Sequence, residues 1–156
     1  MPGNLALLLR LTIEKEAPNL RSVTAEEANR TDGRAASWTR KQELGHLIDS
    51  ATNNHIRFVG ATVDGEFRGQ SYAQDKWVGA HDYAAMDWSA IVEFWYRYNA
   101  LLAHLVERIP DNQMDNRCVI GSVEVTLHFL IQDYVLHMQH HLDHILAREA
   151  DTAYPG

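Results

Sequence analysis

Four of the nine histidines lie in one short stretch, as His137, His140, His141 and His144. Imidazole ligates divalent transition metals and moves protons near neutral pH, so a cluster of this kind has chemistry available to it. In a helix, positions four apart sit about 40° apart on one face, close enough for two rings to point at one ion. Two such pairs overlap here, His137 with His141 and His140 with His144. With His137 at zero on a helical wheel, Leu130, Tyr134, Met138, Leu142 and Ile145 spread over about 20° to 140°. His141 falls inside that apolar arc, whereas His140 lies near −60° and faces outward. The wheel therefore selects His137 and His141 as the pair bordering a protein interior. His144 is near enough to support them, and Asp133 and Asp143 could fix an imidazole tautomer. A solvated polar face is the ordinary alternative for such a helix.

A catalytic site of this type needs a third protein ligand and an open position. Periodicity does not supply the third. His46 lies opposite Leu44, Ile48 and Ala51, on the side that carries Gln42, Ser50, Asn53 and Arg57, and by that criterion is an exposed helix residue. The lone Cys118, beside Val119 and Ile120, reads as a small packing residue and allows no intrachain disulfide.

The elements that position these residues are helical. A first helix is expected from about Asn4, as cap, to Ala17, with the stripe Leu5, Leu8, Leu9 and Ile13 and with Pro18 beyond its end. Thr24 and Glu27 have capping-box spacing, and Arg30 to Ala35, with Asp32-Gly33, is a loop. Thr39 and Gln42 repeat the capping box at the start of a second long helix, which runs to about Val59 and stops at Gly60. From Gly60 to Asp87 no period is sustained. This predicts a long crossover anchored by Trp77 and Tyr83. A third helix follows Asp87, with Ile91, Phe94, Trp95, Tyr98, Leu101, Leu102 and Leu105 at helical steps, and ends by Pro110. Asp111 to Arg117 is a polar loop. A fourth helix should start near Ser122 to Glu124 and reach about Glu149. Four helical patterns without a strand pattern predict an all-α four-helix bundle, one domain over residues 1–156.

Composition narrows the function. The net charge is −7 and no Lys/Arg cluster occurs, which argues against nucleic-acid binding. The apolar run Leu5 to Leu11 is short and broken by Arg10, so it reads as a core helix, with no membrane span and a cytoplasmic compartment expected.

Three segments carry a family resemblance. The run from Trp38 to Ser50, Trp-Thr-Arg-Lys-Gln-Glu-Leu-Gly-His-Leu-Ile-Asp-Ser, resembles the second-helix signature of the DinB/YfiT-like superfamily. Tyr134 to Ile145 resembles its fourth-helix signature, and Ser71 to Trp77 resembles the tyrosine-to-tryptophan stretch of the YfiT-like branch. The resemblance implies a four-helix bundle with a long crossover between helices two and three. It also implies a three-histidine site for one divalent transition metal, zinc or nickel with iron as a further option, held by His46, His137 and His141. Members often show two histidines in the second-helix motif, where this chain has Gly45-His46. With His46 as a ligand, the polar side of its helix becomes a cleft wall, and Asn53 and Arg57 become candidate contacts for a polar or anionic small-molecule substrate. The resemblance further implies a homodimer and a metal-dependent enzyme. Its members include hydrolases and enzymes that use a low-molecular-weight thiol. Because no general base is evident, S-transfer from a metal-activated thiol to an electrophile is expected ahead of hydrolysis by activated water. A non-catalytic metal-binding stress-response protein is the third reading.

Overall fold

The computed structural model describes residues 1–31 and 38–148. Four long helices form a bundle: α1 (Pro2–Arg21), α3 (Arg40–Asp64), α5 (Trp88–Glu107) and α6 (Leu127–Ile145). Shorter elements complete it: α2 (Ala25–Ala28), α4 (Gln74–His81), and the strands β1 (Glu66–Gly69), β2 (Arg117–Ile120) and β3 (Val123–Thr126). Helix α1 packs on α5 and α6, and α3 packs on the same two from the other side. The predicted bundle and its long connection between the second and third long helices are both present. Apolar side chains from all four helices close the core, with Leu9, Ile13, Leu44, Phe58, Trp95 and Ile131 almost wholly buried.

Both capping boxes form as the spacing predicts. Thr24 and Glu27 exchange side-chain and backbone hydrogen bonds, and so do Thr39 and Gln42. The helix ends differ. Helix α1 begins at Pro2 with Met1 as cap, so Asn4 lies within its first turn, and Pro18 sits inside the helix. A proline in the last turn forfeits a single helical bond, and the Pro18 carbonyl still accepts from Ser22 N at 3.1 Å. The buried stripe runs Leu5, Leu9, Ile13, Ala17 and Leu20, while Leu8 is exposed. Helix α3 passes Gly60 and ends five residues later at Gly65, whose φ of 82° supplies the left-handed stop. At Gly60 the ring of Phe67 packs where a larger residue would have a side chain. The loop expected from Arg30 to Ala35 falls largely outside the described residues, as does the expected fourth-helix end at Glu149.

A small sheet accompanies the predicted bundle, and no strand pattern announced it. Strand β1 pairs parallel with β2, and β2 antiparallel with β3. Residues 122–126, assigned above to the start of the fourth helix, form the second arm of a hairpin turning at Gly121, which has φ 61°. Each strand is four residues long, too short to establish a period of two, although Gly-Ser between Val-rich arms is a hairpin signal. The sheet ties the C-terminal end of α3 to the N-terminal end of α6, and Arg40 Nε donates to Ile145 O at 2.8 Å at the opposite end. The two helices are therefore antiparallel, which brings the first half of α3 against the second half of α6.

The crossover is pinned on α3. Tyr83 is buried, and its hydroxyl donates to Asp49 Oδ1 at 2.6 Å. Its ring lies over Gly45, where an added Cβ would overlap ring carbons. This explains the absence of a second histidine beside His46: the crossover occupies that space. Gly45→Ala is expected to destabilise by about 1–2 kcal/mol, since overpacking of about 1–3 kcal/mol outweighs the helix-propensity gain. Urea unfolding checks this, and an unchanged midpoint would show that Tyr83 yields freely.

Candidate metal centre

Antiparallel packing of α3 on α6 converges three imidazoles contributed by two helices. The His46 Nε2 and His137 Nε2 atoms stand 3.2 Å apart. Ligand atoms of His46, His137 and His141 all lie within 4.8 Å of one another. The three rings meet edge to face, with centroids 4.5 to 5.1 Å apart. Two nitrogens on one tetrahedral ion, each at 2.0–2.1 Å, would be separated by about 3.3–3.4 Å. The observed spacing fits that requirement.

His46 has no exposed surface, which overturns the exposed position that periodicity assigns it. Helix α3 is buried on nearly every side over its first three turns because α6, α5 and the crossover all cover it. Trp38, just before the Thr39 cap, lays its ring 4.9 Å from that of His46. Burial also decides protonation. His46 and His137 are each pushed down to about 3, first by desolvation and then by the neighbouring imidazoles. Desolvation, followed by His140 and His144, takes His141 to about 4. The Glu43 carboxylate on His141 works in the opposite direction. At neutral pH the trio is therefore uncharged, the state in which imidazole ligates metal.

Glu43 is the residue that sequence reasoning missed. It is 4% exposed and sits one turn before His46 on α3. Its Oε1 lies 3.0 Å from His141 Nδ1 and 3.2 Å from His144 Nδ1. A proton on His141 Nδ1, donated to this carboxylate, leaves Nε2 with its lone pair toward the other two rings. The sequence signal was the three-residue spacing of Glu43 and His46, which places both on one helix face. Glu43 itself, with His141 and His144, forms the other grouping of potential ligands among the described residues.

The remaining candidates divide. His140 is half-buried instead of facing solvent, its ring centroid 4.4 Å from that of His144. Asp143 pairs with Arg148, which also reaches Glu16. Asp133 stays near: with Arg57, Asn54, Ser50 and His137 it lines a cavity of about 150 Å³. Asn53 is absent from that wall, because its amide donates back to Asp49 O at 2.9 Å. One residue further along α3, Asn54 takes the place expected of it. Cys118 is fully buried and its thiol is pushed up to about 11 by desolvation, consistent with a packing role. No described helix is long and apolar enough to cross a membrane.

No protein-family model matches the chain. It is 27% identical over 139 residues to a Bacillus licheniformis protein named "Putative metal-dependent hydrolase", covering 85% of this chain and 79% of that relative. Its fold is similar to that of Bacillus subtilis YfiT, described as "a probable metal-dependent hydrolase with an unusual four-helix bundle topology". The match has a TM-score of 0.82 at 22% identity and covers 94% of this chain and 84% of YfiT. The resemblance to the DinB/YfiT-like superfamily, and the bundle it implies, are borne out by these similarities.

Proposed function

We propose that this chain is a metal-dependent hydrolase in which His46, His137 and His141 hold one divalent transition metal. The observation that carries the reading is the convergence of three neutral imidazoles, His46 buried and His137 and His141 half-buried, at ligand spacing. Imidazole donors suit zinc and nickel, and also iron. An ion there would supply Lewis acidity, drawing the pKa of a coordinated water or thiol toward neutrality.

The chain's own residues do the rest. Glu43 orients His141, and burial excludes protons from all three rings. Asp133, one helical turn before His137 and lining the same cavity, is placed to accept a proton from the attacking group. The preference for thiol S-transfer rested on the lack of such a base. With Asp133 in the cavity, water becomes the better-supported nucleophile, and thiol transfer is the second reading.

Metal-loaded protein should be assayed against ester and amide panels, and against chlorobimane with a panel of low-molecular-weight thiols. Hydrolysis that is lost on chelation and restored by metal supports the proposal. Turnover that requires a thiol replaces it with S-transfer. Stoichiometric metal with neither activity leaves the non-catalytic stress-response reading.

Glu43→Gln tests the support given to His141. The amide keeps the shape but weakens the charge-assisted contact, so metal affinity should fall about 10–100-fold. Competition with a chromophoric chelator reads this directly, and an unchanged affinity would remove Glu43 from the centre.

A further inference from the structure

Arg57 is 8% exposed, yet its guanidinium borders the cavity that also contains His137. Its contacts are weak. Nη1 reaches Asn54 Oδ1 at 3.5 Å, the limit of a hydrogen bond, and its guanidinium carbon stands 6.0 Å from the Tyr72 ring centroid, the limit of a cation–π contact. No ion pair between it and a carboxylate occurs among the described residues, and Asp133 lines the same cavity. Desolvation accordingly lowers its pKa. A guanidinium buried without a counter-charge destabilises a folded chain. Such a group on a cavity wall is understandable when a ligand brings the missing charge.

We propose that the cavity binds a small substrate through a single carboxylate on Arg57, with the reacting bond directed toward His137; this rests on the metal-centre reading above. The guanidinium fork matches a planar carboxylate bidentately. Ser50, Asn54 and Tyr72 add polar groups around it. A singly charged group is favoured over a phosphate dianion because Asp133 lines the same cavity and repels a second negative charge.

The test measures binding of butyrate, butyramide and inorganic phosphate by calorimetry, on full-length protein both zinc-loaded and chelator-stripped. Butyrate is expected to bind saturably in both forms, and more tightly than butyramide or phosphate. Arg57→Met should weaken butyrate at least 10-fold and Arg57→Lys less, with zinc content unchanged in both. Arg57→Met should also leave the melting temperature of the ligand-free protein unchanged or raise it by about 2–4 °C, because the variant removes an uncompensated charge. Butyrate binding that is absent, unaffected by Arg57→Met, or weaker than phosphate binding overturns the proposal. A melting temperature several degrees lower also overturns it, by making Arg57 a structural residue. Loss of zinc binding by the wild type would sink the metal centre, while butyrate binding by the stripped form would still report on Arg57 alone.

Discussion

Replacing His137 with alanine is expected to weaken metal binding more than 100-fold, so that protein purified from zinc-supplemented medium carries little metal where the wild type carries about one equivalent. Loss of a group that merely orients a ligand costs about 10–100-fold in affinity, and loss of a ligand should exceed that. His46→Ala and His141→Ala should behave alike, since each removes one member of a trio held within 4.8 Å. His104 is exposed on α5, so His104→Ala is the control that lowers the histidine count without touching the centre. A second readout follows from linkage. Metal at 100 times its dissociation constant stabilises the wild type by about 2.7 kcal/mol, roughly 5–10 °C in melting temperature for a chain of this size. The His137 variant should show no such shift. Elemental analysis and thermal melts with and without zinc check both statements. Equal metal content in wild type and all three variants would end the ligand assignment.

The metal-free protein should lose stability as pH falls from about 6.5 toward 4. His46 and His137 have folded pKa values near 3 against an ordinary value of 6.5. Below 6.5 the unfolded chain takes up a proton on each, while the folded chain resists until about 3. The unfolded state thus binds more protons across this window, so stability declines with falling pH and is fully present above 6.5. Each group contributes at most about 1.4 kcal/mol per pH unit, and together they remove about 4 kcal/mol by pH 5. That is a large share of the 5–15 kcal/mol typical of a folded chain. The carboxylates of Glu27, Glu93 and Glu107, lowered from 4.5 by their hydrogen-bond partners, add to the decline only at the acidic end of this window. Asp49, raised by burial, works in the opposite direction at the acidic end. Urea unfolding of stripped protein at pH 7.5, 6, 5.5 and 5 measures the decline. A flat profile would show that the imidazoles are more hydrated than their burial implies. The double variant His46→Gln, His137→Gln should reduce it to the smaller part that His141, with a folded pKa of about 4, contributes.

Periodicity and short-range geometry made part of this protein legible from its residues alone. Four helical patterns, two capping boxes and the choice of His137 with His141 rest on contacts within a few residues of one another. Local rules suffice there because helix geometry determines which side chains share a face. The sheet was hidden because four-residue strands carry too little pattern, and α1 ran past Pro18 because that residue interrupts a single bond in a last turn.

The third histidine, its carboxylate partner and the cavity were decided by tertiary packing. On its own helix His46 lies on the polar side, and only the antiparallel seating of α6 and the crossover turns that side inward. The same packing carries Glu43 to His141 and His144, about a hundred positions away in sequence. It also explains Gly45, whose missing side chain makes room for Tyr83. Asn53 and Arg57 looked equivalent as cleft residues, but one turns its amide back to the helix and the other faces the cavity. The paired histidines of α6 were therefore determined by sequence. Their completion into a three-ligand centre depended on which surfaces the folded chain buries against one another, since burial keeps the imidazoles neutral and long-range packing brings them within reach of one ion.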